Sequence, residues 1–255
     1  MDEKTNILIA VMSHRSLIHP QCMTSLMDAG RALSLNKIQH RVSTAESSNS
    51  ALAYDLYASL VIQDATFSHV MFVDGDVQFG PNVLLRLLRT DKPMVGAACP
   101  LRQAEPRFAV TFLNRKELPV TSGLVEVDGI GMSATLIQRS VFETMVAKAA
   151  VMSPKVNPAT AKVLTGPLYN FFHPICTRER RLTEEASFCA RWREQCRGQI
   201  FALIDEDIGH HGHHEFRGRM SDHLTAAYPR RSRAISASRR AKLPPGDSGH
   251  GVVLP

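Results

Sequence analysis

The stretch that decides the fold is Ser68–Pro100, with the sequence SHVMFVDGDVQFGPNVLLRLLRTDKPMVGAACP. His69–Val73 is a short, uninterrupted apolar run, which is typical of a strand covered on both faces. Two aspartates separated by one glycine follow directly, at Asp74–Asp76. A helix is predicted over Asn82–Arg89 and a second buried strand over Met94–Ala98. A strand, an acidic turn, a helix and a strand in this order form one unit of an α/β sheet.

The same rhythm precedes this stretch. Asn6–Met12 (NILIAVM) is another continuous apolar run, and Pro20 is suited to open the helix that follows it. His40–Ser43 is predicted as a short strand and Ser47–Gln63 as a long helix. Alternating strands and helices predict a doubly wound, mostly parallel sheet with right-handed crossovers.

After Pro100 the pattern changes to shorter elements, so we expect a smaller, mixed-strand C-terminal part. We predict the following elements there: strands at Arg107–Leu113, Gly123–Val127 and Met132–Ile137, a helix at Ser140–Ala150, a loop at Met152–Pro167, a helix at Glu184–Cys196 and a strand at Ile200–Ile204. Residues 1–225 are predicted to form one domain. Residues 226–255 are predicted to form a basic, disordered tail.

The basic charge of the chain is concentrated in that tail. The formal net charge is +6, and from Tyr228 onward six basic residues face the single acid Asp247. A basic segment rich in Ser, Pro and Gly is usually a solvated, mobile end, although weak attraction to nucleic acid or an anionic surface is an open alternative.

The cysteines and the N-terminus bear on the cellular compartment. The five cysteines are odd in number and form no C-x-x-C pair, which argues against a disulfide framework and a structural zinc site. The opening MDEKTNILIAVMSH places acids before an apolar run only one strand long, and no run is long enough to cross a membrane. We therefore expect a cytoplasmic protein.

The acidic turn is suited to metal binding. Ligands collect at the carboxyl ends of parallel strands, where Asp74 and Asp76 are predicted to lie. Side chains at i and i+2 of an extended chain point the same way, so both carboxylates can face one hard cation. Gly75 would let a ligand approach the backbone closely. The alternative is a solvated loop that contains two acids.

Three blocks of the sequence resemble GT-A glycosyltransferases, especially small bacterial and viral ones. They are Ser68–Pro100 with its D-x-D motif, Glu126–Glu143 (EVDGIGMSATLIQRSVFE), and Thr183–Gly212, which holds an acid-plus-helix segment and a C-terminal His-x-Gly. The blocks occur in the family's order and cover about two-fifths of the chain. One departure is Ala53-Tyr54-Asp55, where many relatives carry an Arg-Asn pair.

The resemblance implies a metal-dependent transfer of sugar from a nucleotide-diphosphate sugar to an acceptor hydroxyl. The nucleotide-binding half would be about residues 5–100, and the half that closes the metal and acceptor sites about 101–225. The resemblance also assigns roles to residues: Asp76 binds the metal directly with His210, and Asp74 reaches the metal through water or contacts the ribose of the nucleotide. Ser13 and His14 follow the first strand at the same sheet edge, so we expect them to flank the nucleotide together with Gly75. UDP- and GDP-sugars are the expected donors, and the sugar, the acceptor and the stereochemistry of transfer stay open.

Four histidines, His210, His211, His213 and His214, lie in GHHGHHEFRG. Their spacing is not H-E-x-x-H, and no cysteines complete a zinc site. Within the resemblance, the His-x-Gly pattern selects His210 as the metal ligand, with His211 as the alternative. A nitrogen ligand favours Mn²⁺ over Mg²⁺.

A further carboxylate, Glu185, is the predicted general base. Glu185, Cys189, Trp192 and Cys196 have helical spacing and share one apolar stripe. Desolvation at the top of that stripe raises the pKa of a carboxylate toward values useful for a base. Glu184 lies away from the stripe. Both acids could instead serve only the positive end of the helix dipole.

Three other functions fit parts of the pattern. A haloacid-dehalogenase-like phosphatase also uses D-x-D after a strand, but after its first strand and with Gly-Thr where this chain has Val77-Gln78. A sugar-nucleotide pyrophosphorylase normally has a Gly-rich loop after its first strand, unlike VMSHRSLIHP. The non-enzyme alternative is a nucleic-acid-binding protein built on a decayed transferase fold, which would depend on the Arg-rich tail.

Overall fold

The structure is a computed structural model that describes residues 5–13, 17–46, 49–113, 119–153, 164–179 and 181–227. The predicted tail lies almost wholly outside these residues, as does most of the predicted loop Met152–Pro167. No helix in the described ranges is long and apolar enough to cross a membrane.

The elements follow the predicted alternation closely. In chain order they are β1 (Asn6–Ser13), α1 (Pro20–Leu35), β2 (Gln39–Glu46), α2 (Ser50–Gln63), β3 (His69–Asp74), β4 (Val77–Gln78), α3 (Val83–Arg89), β5 (Met94–Ala97), β6 (Val110–Thr111), β7 (Leu124–Val127), β8 (Gly129–Ile130), β9 (Ala134–Gln138), α4 (Arg139–Ala147), α5 (Glu184–Ala190), a π-helix (Arg191–Gln195), β10 (Ile200–Leu203), β11 (Ile208–His210), β12 (Phe216–Gly218) and α6 (Met220–Ala227).

The central sheet has seven strands in the order β2-β1-β3-β9-β5-β10-β7. Strands β2, β1, β3, β5 and β10 run in one direction, whereas β9 and β7 run against their neighbours. This arrangement confirms the predicted mostly parallel α/β sheet. One detail differs from a simple crossover pattern, because β9 inserts antiparallel between β3 and β5.

The sheet is covered on both faces, as its continuous apolar strands require. Along β1, Leu8 and Ala10 pack into one core cluster and Ile7, Ile9 and Val11 into the other. Helices α2, α4 and α5 contribute to the first cluster, and α1 and α3 to the second. The alternation of β1 between two apolar layers explains why its sequence lacks polar positions.

Local signals at the helix ends agree with the sequence. Pro20 lies at the start of α1, as predicted. Asn49 caps α2 by accepting a hydrogen bond from the Leu52 N–H at 3.1 Å, and Thr183 caps α5 by accepting one from Ala186 at 3.3 Å. Such side-chain acceptors satisfy N–H groups that have no partner within the helix.

One predicted strand is wrong in extent. The strand expected over Arg107–Leu113 is reduced to Val110–Thr111, paired with β8. The helix expected over Glu184–Cys196 is present, as an α-helix to Ala190 and as a π-helix from Arg191 to Gln195. The predicted stripe on this helix is confirmed, since Cys189, Trp192 and Cys196 are all buried.

A small three-stranded sheet, β12-β11-β4, lies beyond the carboxyl edge of the central sheet. Its strand β4 follows Asp76 directly, and β11 pairs with it antiparallel. This pairing brings the histidine-rich segment, 130 residues later in the chain, beside the acidic turn.

Candidate functional site

The Asp-Gly-Asp turn lies at the carboxyl edge of the central sheet, as predicted. Asp74 ends β3 opposite Met12 of β1, and its N–H donates to the Ser133 carbonyl at 3.1 Å. The Gly75 N–H donates to the Met12 carbonyl at 2.8 Å, and the Gly75 carbonyl accepts from His19 at 2.7 Å. The turn is therefore fixed by backbone hydrogen bonds to three different segments.

Asp76 and His210 lie on neighbouring segments of the small sheet, and their side chains face each other. His210 Nε2 lies 3.3 Å from Asp76 Oδ1. His210 Nδ1 lies 2.8 Å from the Pro100 carbonyl, which can only accept, so Nδ1 carries the proton in this hydrogen bond. In the neutral ring, Nε2 then presents its lone pair to the carboxylate. The structure thus singles out His210 over His211 as the neighbour of Asp76.

The protonation state of His210 follows from its surroundings. Burial lowers the pKa of His210, and the charge of Arg102 acts in the same direction. The hydrogen bond to Pro100 and the charge of Asp74 oppose the shift. The ring is therefore neutral near pH 7, and two electron-rich atoms, Nε2 and a carboxylate oxygen, face one another. This arrangement is favourable only when a positive charge lies beside both atoms.

That positive charge is provided here by Arg102. Its guanidinium forms an ion pair with Asp76 Oδ2, while Oδ1 faces His210. The side chain of Arg102 is 45% exposed, against 14% for His210. Asp76 is thus flanked by a firmly held neutral imidazole and a cation that extends in from the solvent side.

The residues at Asp76 fit a divalent metal ion. Two ligands bound at about 2.1 Å lie about 3.0 Å apart in octahedral and about 3.4 Å apart in tetrahedral geometry, so the 3.3 Å between His210 and Asp76 suits either. The hydrogen bond from Nδ1 to a carbonyl is the arrangement that orients metal-binding histidines. Within the described residues, three or more His, Cys, Asp or Glu side chains do not gather into one metal-binding group.

Asp74 turns toward a different set of partners. The Ser133 hydroxyl donates to Asp74 Oδ2 at 2.6 Å, and the Tyr54 hydroxyl forms a second hydrogen bond with the same carboxylate. Burial raises the pKa of Asp74, and these hydrogen bonds and the positive charge of Arg102 oppose the rise. Asp74 thus lies within electrostatic reach of the Asp76 site while being held by groups of the core.

Glu185 lies in the same cluster of charges, at the start of α5. Its Oε1 accepts a hydrogen bond from the Met132 N–H at 3.0 Å, one residue before Ser133. Burial, together with the charges of Asp74 and Glu184, raises the pKa of Glu185 to about 7, against the opposing effect of the Met132 hydrogen bond. A carboxylate with this pKa can accept a proton at neutral pH. Glu184 instead accepts a hydrogen bond from the Ser50 hydroxyl.

The residues predicted to flank the nucleotide differ in how far the structure describes them and in whether they are free to contact a ligand. The Ser13 hydroxyl donates to the Ala45 carbonyl at 3.2 Å and is largely buried. His14 lies outside the described residues. At Gly75 the close approach is made by the protein's own backbone, because an added Cβ would lie 3.1 Å from the Met12 carbonyl and 3.2 Å from the Leu17 carbonyl.

The His211 side chain contacts other residues of the protein and does not face the Asp76 carboxylate. Its ring stacks on His19 with centroids 4.5 Å apart, and its Nε2 lies 3.0 Å from Gln78 Oε1. Its backbone N–H donates to the Asp76 carbonyl at 2.8 Å. His211 therefore fixes the main chain of the acidic turn, whereas the neighbouring His210 meets the Asp76 side chain.

Three residues of the site were not predicted as such. Tyr54 and Ser133 bind Asp74, and Arg102 binds Asp76. The Tyr54 position was visible in the sequence as the place where many relatives differ, although its role was not. Ser133 and Arg102 have no sequence signal, since each reaches the site through pairing of distant segments.

A separate polar cavity of about 440 Å³ lies between α1, α3 and the loop after β10. Arg86 there pairs with Asp205 and Glu206, and Arg217 pairs with Asp207 and Glu215. Its lining includes none of Asp74, Asp76, Glu185 and His210. Most of its charged groups pair with one another.

The chain is thus an α/β protein with a mostly parallel, doubly wound sheet and an acidic, histidine-bearing edge. No protein-family model matches it, and no curated protein does. Similar solved structures include A197 from STIV, with 14% identity, a TM-score of 0.47, and coverage of 82% of this chain and 86% of that one.

Two further solved structures are similar to this chain. One is a glycosyltransferase involved in the glycosylation of the major capsid of PBCV-1, with 9% identity, a TM-score of 0.31, and coverage of 55% of this chain and 64% of that one. The other is GalNAc-T7 with UDP, GalNAc and Mn²⁺, with 10% identity, a TM-score of 0.41, and coverage of 81% and 43%. The chain spans less than two thirds of the length of both. The likeness concerns the arrangement of the chain, and we base the function on the geometry of the site.

Proposed function

We propose that the protein is a glycosyltransferase that moves a sugar from a nucleotide-diphosphate sugar to an acceptor hydroxyl. The main support is one juxtaposition. Asp76 and a neutral His210 face each other 3.3 Å apart at the carboxyl edge of the sheet, and Glu185, with a pKa of about 7, interacts electrostatically with Asp74 of the same turn. A pair of side chains that could bind a cation, together with a carboxylate that could accept a proton, suits sugar transfer from a diphosphate.

Asp76 and His210 would hold the divalent cation. One carboxylate oxygen and one imidazole nitrogen leave room for phosphate and water oxygens, and the nitrogen favours Mn²⁺ over Mg²⁺. The bound cation would stabilise the negative charge that develops on the departing diphosphate. Asp74, two residues before Asp76, would assist either through a water molecule or by accepting a hydrogen bond from the ribose.

Glu185 would act as the general base. Its carboxylate would remove the proton from the acceptor hydroxyl as that oxygen bonds to the anomeric carbon, and transfer would then proceed with inversion. Burial raises the pKa of Glu185 to about 7, and this makes it a far stronger base than an exposed glutamate while leaving it substantially ionised near neutral pH. The hydrogen bond from Met132 fixes the direction of the carboxylate.

Ser13, His14 and Gly75 would border the nucleotide, because β1 and β3 end side by side at this edge. Backbone N–H and C=O groups of this region would make the contacts with the nucleotide, because the Ser13 hydroxyl already donates a hydrogen bond to the Ala45 carbonyl. UDP- and GDP-sugars are the proposed donors.

A donor screen tests the proposal. UDP-, GDP-, CMP- and dTDP-sugars are incubated with the full chain and Mn²⁺, and release of the nucleotide is measured with and without chelator. We expect release from a UDP- or GDP-sugar that stops when the metal is removed. Formation of a covalent aspartyl phosphate with a phosphoryl donor, without any nucleotide release, would instead indicate a phosphatase.

A further inference from the structure

The guanidinium of Arg102 occupies the side of Asp76 that a metal ion would share. We infer that Arg102 is a built-in counter-cation: it neutralises Asp76 while no metal is bound, and an arriving metal ion displaces it toward the diphosphate of the donor. This inference rests on the proposed function and adds to it an exchange of two cations at one carboxylate.

One short segment sets both neighbours of Asp76. The loop after β5 is closed by a bridge between Pro100 and Phe108 and by a 2.7 Å hydrogen bond from the Leu101 N–H to the Arg107 carbonyl. The Pro100 carbonyl orients His210, and two residues later the Arg102 side chain passes beside Gly212 to reach Asp76. The backbone around Arg102 is therefore anchored to the same histidine that would bind the metal.

Electrostatics decides which group leaves when a metal ion arrives. A guanidinium and a divalent ion on the two oxygens of one carboxylate would lie within a few ångströms and repel each other strongly. His210 is held by Pro100 and is mostly buried, whereas the Arg102 side chain is 45% exposed on a long, flexible stem. Arg102 is thus the group free to move.

The anchored backbone of Arg102 limits where its side chain can move after displacement. Its anchored backbone keeps the guanidinium beside the site, where the diphosphate is the nearest excess of negative charge once Asp76 is neutralised by the metal. The planar guanidinium matches phosphate oxygens in two parallel hydrogen bonds, which a lysine cannot reproduce. The same side chain would therefore weaken metal binding to the free protein and strengthen nucleotide binding to the metal-loaded protein.

In the test, a single substitution should change two affinities in opposite directions. Mn²⁺ is titrated into the nucleotide-free full chain and free Mn²⁺ is followed by electron paramagnetic resonance, for the wild type and for Arg102→Gln. We expect Arg102→Gln to bind Mn²⁺ about tenfold more tightly, because a competing unit charge has been removed. At saturating Mn²⁺, calorimetry with UDP and with GDP should show about tenfold weaker nucleotide binding by the same variant.

Matched variants separate this account from simple damage to the loop. Arg107→Gln removes a cation from the same loop that pairs with Glu105, and it should leave both affinities unchanged. Asp76→Asn should abolish Mn²⁺ binding in the wild-type and Arg102→Gln backgrounds. A damaged loop would release His210 and lower both affinities together.

The outcomes distinguish the inference from the proposed function. Unchanged or weaker Mn²⁺ binding by Arg102→Gln overturns the inference, whether or not sugar transfer occurs. Absence of Mn²⁺ binding in both the wild type and Arg102→Gln overturns the inference and the metal site together. If Arg102→Gln gains Mn²⁺ affinity but the wild type binds neither nucleotide, the displacement holds and the proposed donor class fails.

Discussion

His210 Nε2 lies 3.3 Å from Asp76 Oδ1, although the two residues are separated by 134 positions in the chain. The contact exists because β11 pairs antiparallel with β4, directly after the acidic turn. Because Nδ1 donates its proton to the Pro100 carbonyl, Nε2 of the neutral ring is unprotonated and its lone pair faces the carboxylate. We propose that a divalent cation binds between these two side chains, and the following predictions test what depends on it.

Replacing Asp76 by Asn should lower metal-dependent sugar transfer at least about 100-fold, because the amide retains the shape but loses the charge that holds the cation. Release of nucleotide from the best donor is the measurement. Asp28→Asn is a suitable control, since Asp28 is an exposed acid on α1 away from the turn. Full metal-dependent turnover by Asp76→Asn would contradict the proposed role.

Substitutions of the two neighbouring histidines should differ in their effect on metal binding. His210→Ala should lower the affinity for Mn²⁺ about 10- to 100-fold, and it should also reduce stability by about 1–2 kcal/mol because its hydrogen bond to Pro100 is lost. His211→Ala should reduce stability by a similar amount, because its hydrogen bond with Gln78 and its stacking on His19 are lost, but it should leave the affinity for Mn²⁺ within about threefold of the wild type. Metal titrations and thermal unfolding of both variants decide the matter, and a reversed pattern would assign the metal to His211.

Glu185 should give the proposed sugar transfer an acid limb in its pH profile. Since burial raises the pKa of Glu185 to about 7, kcat/KM should fall as the pH drops below about 7 and the base becomes protonated. Glu185→Gln should lower transfer at least about 100-fold and remove this limb. A profile in which the limb persists in the residual activity of Glu185→Gln would remove Glu185 as the base.

The same group should make stability depend on pH. The pKa of Glu185 is raised in the folded protein, so its favourable contribution is complete below the ordinary value near 4.5 and is lost as the pH rises through about 7. Glu185→Gln should therefore be more stable than the wild type at pH 8, by up to about 3 kcal/mol, and should show a flatter stability curve between pH 5 and 7. Denaturant unfolding at several pH values provides the measurement, and an equal loss of stability at pH 5 and pH 8 would contradict the assignment.

Gly75 is predicted to be required by the fold as well as by the site. Gly75→Ala would place a methyl group 3.1 Å from the Met12 carbonyl and 3.2 Å from the Leu17 carbonyl, so the backbone must move. We expect a loss of about 1–3 kcal/mol in the free energy of unfolding. At Gly80 the nearest atom to an added Cβ is Val83 Cγ2 at 4.0 Å, so Gly80→Ala should change stability by less than about 0.5 kcal/mol. Equal effects of the two substitutions in urea unfolding would show that the close approach at Gly75 does not matter.

Much of the fold was predictable because its signals are local. The apolar runs of β1 and β3 and the proline at the start of α1 each reflect the environment of neighbouring residues. The antiparallel insertion of β9 between β3 and β5 has no such signal, because pairing of Val73 with Ala134 is a choice between distant segments. The change from α-helix to π-helix at Arg191 likewise was not predicted from the sequence.

The site divides along the same line. Asp74, Asp76, Glu185 and His210 were proposed from residue type, spacing and the family resemblance, and their roles stay predictions. In the structure, His210 lies beside Asp76, and Asp74 interacts electrostatically with both His210 and Glu185. Ser133 and Arg102 were not proposed, since Ser133 reaches Asp74 only through the insertion of β9, and Arg102 reaches Asp76 only through the closed loop after β5. The Gly75 position was foreseen as a close approach, but the protein's own backbone makes it.

The most direct test of the central claim is the position of the metal. Crystals of the protein with Mn²⁺ and UDP, measured at a wavelength where manganese scatters anomalously, should show one strong anomalous peak about 2.2 Å from both Asp76 and His210 Nε2, with the diphosphate on its open side. A peak elsewhere, or a bound diphosphate with no manganese between it and these two side chains, would contradict the account.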